Sequence, residues 1–217
     1  MRLPITAHTS RLWRIHEVAP DFKVEDVWLL RTPGGVEEFP RLVSQFASDD
    51  WPHGAPFIVR LLWQARWSLG AVLGWDRKES SIGFRVPSLR DRLPADLRDA
   101  PSGPEFEPFA PLYQLEHEWA AELANRTVHT VIHIGWVPDG SGRYRGQMTA
   151  LVQPNGLLGR AYMTAIKPLR YLIVYPVLVR RIEREWMEPA ATRSHGSGIP
   201  ALPPSKRASR HGDPRDV

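Results

Sequence analysis

His129 and His133 are the first residues in this chain whose types and spacing could do chemistry. Imidazoles four positions apart share one face of a helix and can hold a single metal ion there. The run around them, TVHTVIHI, is β-branched and reads as a strand, which separates the two rings by about 13 Å, too far for one ion at ligand distances of about 2 Å. No metal ligand is assigned, and the pair is expected to be solvent-side or locally hydrogen-bonded.

Glu116, His117, Glu118 and Glu122 form an acidic group with an imidazole inside it. Paired carboxylates do acid/base work only where they converge on a substrate in environments that separate their pKa values. On a strand, Glu116, Glu118 and Glu122 line one side, usually a solvated one; on a helix, Glu118 and Glu122 are neighbours that repel. Asp26 is a different kind of carboxylate. It shares a strand face with Val24, Trp28 and Leu30, so it is expected to point inward, where a ligand or a salt bridge to an arginine would account for it equally well. No glycine-rich phosphate loop, nucleophile elbow, H-E-x-x-H or zinc spacing is present, so no catalytic residue and no cofactor is assigned.

The elements that would position these groups follow from apolar period and turn residues. Residues 22–31 read as a first strand and 37–47 as a short helix after Pro33-Gly34-Gly35. A turn at 49–54 leads into a helix from Pro56 to about Leu73, with Ile58, Leu61, Leu62, Ala65, Leu69 and Val72 on its core stripe and Trp63 and Trp67 beside Arg60 on its far side. Residues 75–108 look irregular: a lid over a pocket, or a connector pinned by Leu89, Leu93 and Leu97, with Ser88 and Asp91 capping a short helix that Pro94 stops.

Residues 109–115 read as extended, and 118–125 fit either a strand or two helical turns. Residues 127–136 and 144–153, joined by Pro138-Asp-Gly-Ser-Gly142, make an antiparallel hairpin. Val128, Thr130, Ile132, Ile134 and Trp136 with Tyr144, Met148, Ala150 and Val152 form its core face. His129, Val131 and His133 with Arg145, Gln147, Thr149 and Gln153 form the other.

The last element is a long amphipathic helix from Gly156 to Trp186 that should cover that core face. Its apolar stripe is Leu158, Ala161, Tyr162, Ala165, Leu169, Leu172, Ile173 and Val179, with Arg160, Lys167, Arg170, Arg181 and Arg184 on a wet side. Pro168 and Pro176 predict a kink or a break. Its basic residues also rule it out as a membrane span.

Composition bounds the rest. With 217 residues and 42% hydrophobic content, the chain supports one core, read as a domain over 1–187 and a disordered Pro/Ser/Arg-rich tail over 188–217. The absence of cysteine excludes disulfides and thiolate chemistry, and the first residues lack a signal-peptide pattern, so a cytoplasmic location is expected. Half of the net charge of +4 lies in that tail, which argues against a nucleic-acid partner for the folded part.

Beyond these patterns, the chain resembles a bacterial family of unknown function in the START-like, or SRPBCC, superfamily, alongside polyketide-cyclase and pollen-allergen-like proteins. The resemblance is carried by Phe22 with Asp26-Val27-Trp28, by Pro87-Ser88-Leu89-Arg90-Asp91-Arg92-Leu93-Pro94, and by Asn125-Arg126-Thr127-Val128-His129. It continues through Gly156-Leu157-Leu158-Gly159-Arg160-Ala161-Tyr162 and Ile166-Lys167-Pro168-Leu169-Arg170. It implies an α+β helix-grip fold, a curved antiparallel sheet wrapped around a long C-terminal helix with an apolar cavity between them. Similar domains fused to nicotinamide-cofactor-binding oxidoreductase domains imply a possible oxidoreductase partner.

The expected occupant of that cavity is a small apolar or lipid-like ligand. Asp26, Trp28, Ile132, Ile134, Trp136, Tyr144, Met148, Tyr162, Ala165 and Leu169 are its expected lining. A cyclase- or hydrolase-like enzyme using the same cavity is the second reading, with Asp26 or a histidine as general base. The third is an interaction module that sets Trp63, Trp67 and the basic side of the last helix against a protein or an anionic membrane.

Overall fold

Six antiparallel strands in the order β1-β2-β6-β5-β4-β3 form the curved sheet of this α+β chain. The computed structural model describes residues 1–46, 86–125 and 127–188. The expected turn at 49–54, the helix carrying Trp63 and Trp67, the start of the irregular stretch and the expected tail after Glu188 lie outside the described residues.

The strands are β1 (Arg2–Leu3), β2 (Lys23–Leu29), β3 (Ala110–Gln114), β4 (Glu118–Ala124), β5 (Val128–Pro138) and β6 (Tyr144–Pro154). Residues 118–124 are therefore strand, the alternative that the alternation of Trp119, Ala121 and Leu123 favours over the helical one. The hairpin pairs β5 with β6 from Val128↔Pro154 to Pro138↔Tyr144. β1 is not visible in the sequence, because two residues carry no period.

Short helices α1 (Thr6–Thr9) and α2 (Ile15–Val18) precede β2, and α3 (Phe39–Phe46) follows it; a 3-10 turn (Leu89–Arg92) and α4 (Ala95–Arg98) come before β3. The C-terminal helix is α5 (Gly156–Leu169), a π turn (Arg170–Val174) and α6 (Tyr175–Met187). Pro168 and Pro176 each remove an N–H donor, and the wide turn between them absorbs the misfit as a bend without ending the helix.

Both faces of the sheet are buried. On the front face, Trp119, Ala121, Ile134, Trp136 and Met148 pack with Leu42, Phe46, Tyr175, Val179, Ile182 and Trp186. On the back, Ala120, Val131 and Leu151 pack with Ile15, Val18, Leu89, Leu93 and Leu97. The segment from Leu89 to Leu97 is thus the pinned connector. Only one face of the hairpin was expected to be core, and burial of His129, His133, Gln147 and Thr149 shows that the other is covered as well. The apolar residues that cover it come from short, aperiodic segments, so no stripe announced a second layer.

Two further corrections concern β2 and α5. A register shift between Val24 and Asp26 sends Val24 to the back core, while Trp28 packs against the front one; strict alternation had put them together. On the C-terminal helix, Leu158, Ala161, Ala165 and Leu172 of the expected core stripe are exposed. The helix docks through Val179 of that stripe together with Gly159, Tyr175, Ile182 and Trp186. At Gly159 any Cβ would collide with the Thr127 carbonyl, so glycine is what lets the first turn of α5 sit on the β4–β5 turn. Asn125 shapes that turn, its Oδ1 accepting from the backbone N–H groups of Thr127 at 2.9 Å and Val128 at 3.1 Å.

Candidate functional site

Where the C-terminal helix bends, it sets a cation over the one carboxylate on the front face of β2. Arg170 lies in the π turn, and the wider turn resets the helical phase and carries this residue off the expected wet side. Its Nη2 donates to Asp26 Oδ2 and to the Tyr175 hydroxyl at 2.5 Å. Tyr175 in turn donates to Asp26 Oδ2 at 2.9 Å. The Asp26 side chain is 1% exposed and that of Arg170 15%, so the pair is held out of water, where its attraction is large and its desolvation cost is also large.

The phenols around it respond to the same burial. Tyr171 is pushed up to about 12, by burial first and then by its hydrogen bond to Asp26 and the Asp26 charge. Tyr175 also rises, again by burial first; Arg170 pulls it down and Asp26 pushes it up. Asp26 Oδ1 and Trp28 Nε1 are both buried without a well-directed partner, the Tyr171 hydroxyl lying near enough to the carboxylate to interact with it. One acceptor and one donor are thus left over at the junction of sheet and helix. The Trp28 ring lies 5.3 Å from that of Tyr175.

The other expected lining residues divide by depth. Ile134, Trp136 and Met148 are buried in the front core, and the Trp136 indole N–H donates to the Gly35 carbonyl at 3.0 Å. Trp28, Ile132 and Tyr144 pack on that core while remaining partly accessible. Tyr162 and Leu169 are half-buried, and Ala165 is exposed. Sequence reasoning had no place for Arg170, Tyr171 and Tyr175 around Asp26. The available signal was an aspartate on an apolar strand face, which requires a partner; the π turn that supplies one leaves no periodic mark.

The histidines and glutamates lie on the other face and are paired. His133 Nε2 is 3.1 Å from Glu118 Oε2, and His129 Nε2 is 2.7 Å from Glu122 Oε2. Glu118 also accepts from the Arg14 backbone N–H at 2.9 Å. Glu122 accepts from Ser88 Oγ at 2.5 Å and from the Leu89 N–H at 3.1 Å. Burial pushes the Glu122 carboxyl up, but its bonds to His129, Ser88 and Leu89 outweigh that and hold it below the usual range. Ser88 bonds to the glutamate and not to the imidazole, so this is not the order of a nucleophile, base and orienter. Each carboxylate clamps a covering segment onto the sheet. The expectation that these glutamates line a solvated side is corrected by the same contacts: Glu118 is 4% and Glu122 0% exposed.

No group of three or more His, Asp or Glu among the described residues could hold a metal ion. No described helix is long and apolar enough to cross a membrane. Residues 18–177 match the family described as protein of unknown function (DUF2867). No curated protein matches, and no solved structure does either.

Proposed function

The chain belongs to the DUF2867 family, and we propose that it is a START-like helix-grip domain that binds a small apolar or lipid-like molecule between the sheet and α5. One observation carries this reading. Asp26, Ala150, Ile132 and Ala121 lie in one cross-strand row, and Ala150 and Ile132 stay partly accessible although paired strands flank them on both sides. Central positions on a covered face are normally closed. Space beside Ala150 under the bend would account for the accessibility. A ligand there would meet Trp28, Ile132, Tyr162 and Leu169 as apolar walls. Its polar end would meet Asp26 Oδ1 as acceptor and Trp28 Nε1 as donor.

Mass spectrometry of small molecules extracted from natively purified protein, against a denatured control, tests this. A stoichiometric apolar compound is expected, and Ala150→Leu should abolish its retention without unfolding the chain. An empty wild-type protein that also takes up no added fatty acid or sterol would overturn the reading.

The exposed side of α5 supports a second reading. Leu157, Leu158, Ala161 and Ala165 of α5 are exposed, as is Leu172 of the π turn, and helical spacing sets those of α5 away from the buried Gly159. Arg160 and Lys167 flank them, and no Asp or Glu occurs from Gly140 to Ile182. Such a face suits an anionic lipid surface, onto which a loaded carrier would dock. Binding to phosphatidylserine vesicles that is weakened by salt and by Leu157→Ser with Leu172→Ser is expected; vesicle binding unaffected by those changes would remove it.

A further inference from the structure

A cleft of about 290 Å³ on the back face is lined by Leu3, Ser10, Arg11, Leu29, Arg145 and Gln147, among others. It is formed between α1 and the edge of β2 and β6, across the sheet from α5. None of the residues discussed for the apolar ligand reaches it. Two arginines share this cleft, and neither is in an ion pair with a carboxylate among the described residues. Arg11 has its guanidinium carbon 5.9 Å from the Trp13 ring, a contact that leaves its donors open to an acceptor. Arg145 Nε is shielded from water and has no acceptor.

The third polar group is Gln147, which is 2% exposed. Its Nε2 donates to the Ala7 carbonyl at 3.3 Å, which fixes the amide orientation and leaves Oε1 as a buried acceptor with no donor. Buried polar groups in folded chains almost always have partners, and each exception asks for one. Here the unmet buried atoms are Arg145 Nε and Gln147 Oε1; the half-buried Arg11 lies beside them, Asp139 feels the Arg145 charge, and the apolar side chains of Leu3, Leu29 and Val137 complete the lining.

We propose that this cleft is a second binding site, for a small organic carboxylate that also carries a hydroxyl or amino donor and an apolar substituent. The carboxylate would take the guanidinium groups of Arg11 and Arg145, the pairing for which a planar fork of donors is best suited. The donor would fill Gln147 Oε1. The volume is at the lower end for ligand pockets, which sets the size at a single ring or a short chain.

Titration calorimetry of the full-length protein with mandelate, phenylacetate and 1-phenyl-1,2-ethanediol separates the terms. Mandelate has the carboxylate, the hydroxyl and the ring; phenylacetate lacks the hydroxyl, and the diol lacks the charge. Mandelate should bind about tenfold or more tightly than either, and Arg145→Gln or Arg11→Gln should remove most of that margin over the diol. Gln147→Met should remove the margin over phenylacetate alone. Should Gln147→Met fail to fold, the surface variant Arg11→Gln still decides the charge requirement. Equal binding of mandelate and the diol, no binding of any probe, or mandelate binding untouched by both arginine variants would overturn the proposal. An Asp26→Leu, Arg170→Met double variant should leave mandelate binding unchanged, which keeps this site separate from the one under the bend.

Discussion

His133 Nδ1 lies 3.2 Å from His8 Nε2, which ties the first helix of the chain to the middle of the sheet. Glu118 faces His133 Nε2 at 3.1 Å, so that nitrogen donates, and the contact between the two rings takes one donor and one acceptor. The other His8 nitrogen, Nδ1, is buried without a partner.

Acid should loosen this arrangement before it reaches the carboxylates. Burial first, then the charges of His133, His16 and Arg11, push His8 down to about 2. His16 is lowered too, again by burial first. An unfolded histidine takes up a proton near pH ~6.5, while the folded one resists it, so the unfolded state binds more protons between these limits. Stability should therefore rise with pH across that window, with a slope of up to about 1.4 kcal/mol per pH unit from His8. Urea unfolding at pH 7, 6 and 5 measures it, and His8→Gln, which keeps a donor for His133, should flatten the slope. A stability that is level or increases toward pH 5 would contradict the assignment.

Glu122 contributes in a lower range. Its carboxyl is held below the ordinary 4.5, so its contribution is present above that value and is lost as pH falls through the lowered one. Glu122→Leu should cost about 3 kcal/mol or more, since it leaves His129, Ser88 and the Leu89 amide unpaired in a dry place. Hydrogen exchange should show the loss first at Leu89 to Leu97, the segment this carboxylate clamps. Uniform loss across the sheet would mean the clamp is not local.

Gly159→Ala separates helix propensity from packing. Alanine is the better helix former by about 1 kcal/mol, so an isolated helix would gain from the change. In the folded chain the new methyl meets the Thr127 carbonyl, and overpacking costs about 1–3 kcal/mol. A net loss in thermal stability is expected, whereas a gain would show that α5 is free to lift from the β4–β5 turn.

What the sequence made legible follows period and turn chemistry. The hairpin of β5 and β6 stood out because alternation runs through both strands and Pro138 to Gly142 separate them. Asp26 stood out because a charge among apolar neighbours breaks a pattern. The back layer did not, because Ile15, Val18, Leu89, Leu93 and Leu97 come from separate short segments whose convergence is a tertiary fact. The glutamates were misread for the same reason, and the histidines took the hydrogen-bonded one of their two readings: on a strand, a polar residue under a second layer has the same spacing as one facing water. Their offset is regular in hindsight, since His133 pairs with Ala120 and His129 with Ala124, each two residues beyond its glutamate. Arg170 could not be placed, because its inward turn depends on the π segment.

Asp26 and Arg170 offer a test of whether the bend serves folding alone or also a ligand. Replacing one partner, Asp26→Leu or Arg170→Met, strands a buried charge and should cost about 3–5 kcal/mol. Replacing both, with Tyr175→Phe to remove the hydroxyl that loses its acceptor, should recover most of that loss, because apolar side chains of similar volume carry no desolvation cost. A double-mutant cycle by chemical denaturation gives the coupling. Recovery of stability has a second use. If the pair only joins β2 to the helix, the stable triple variant should retain whatever compound copurifies with the wild type. If Asp26 also orients a ligand, the triple variant should fold and lose that compound, or keep it only when the compound lacks a polar end. Stability and retention measured on one variant thus distinguish a structural carboxylate from a binding one.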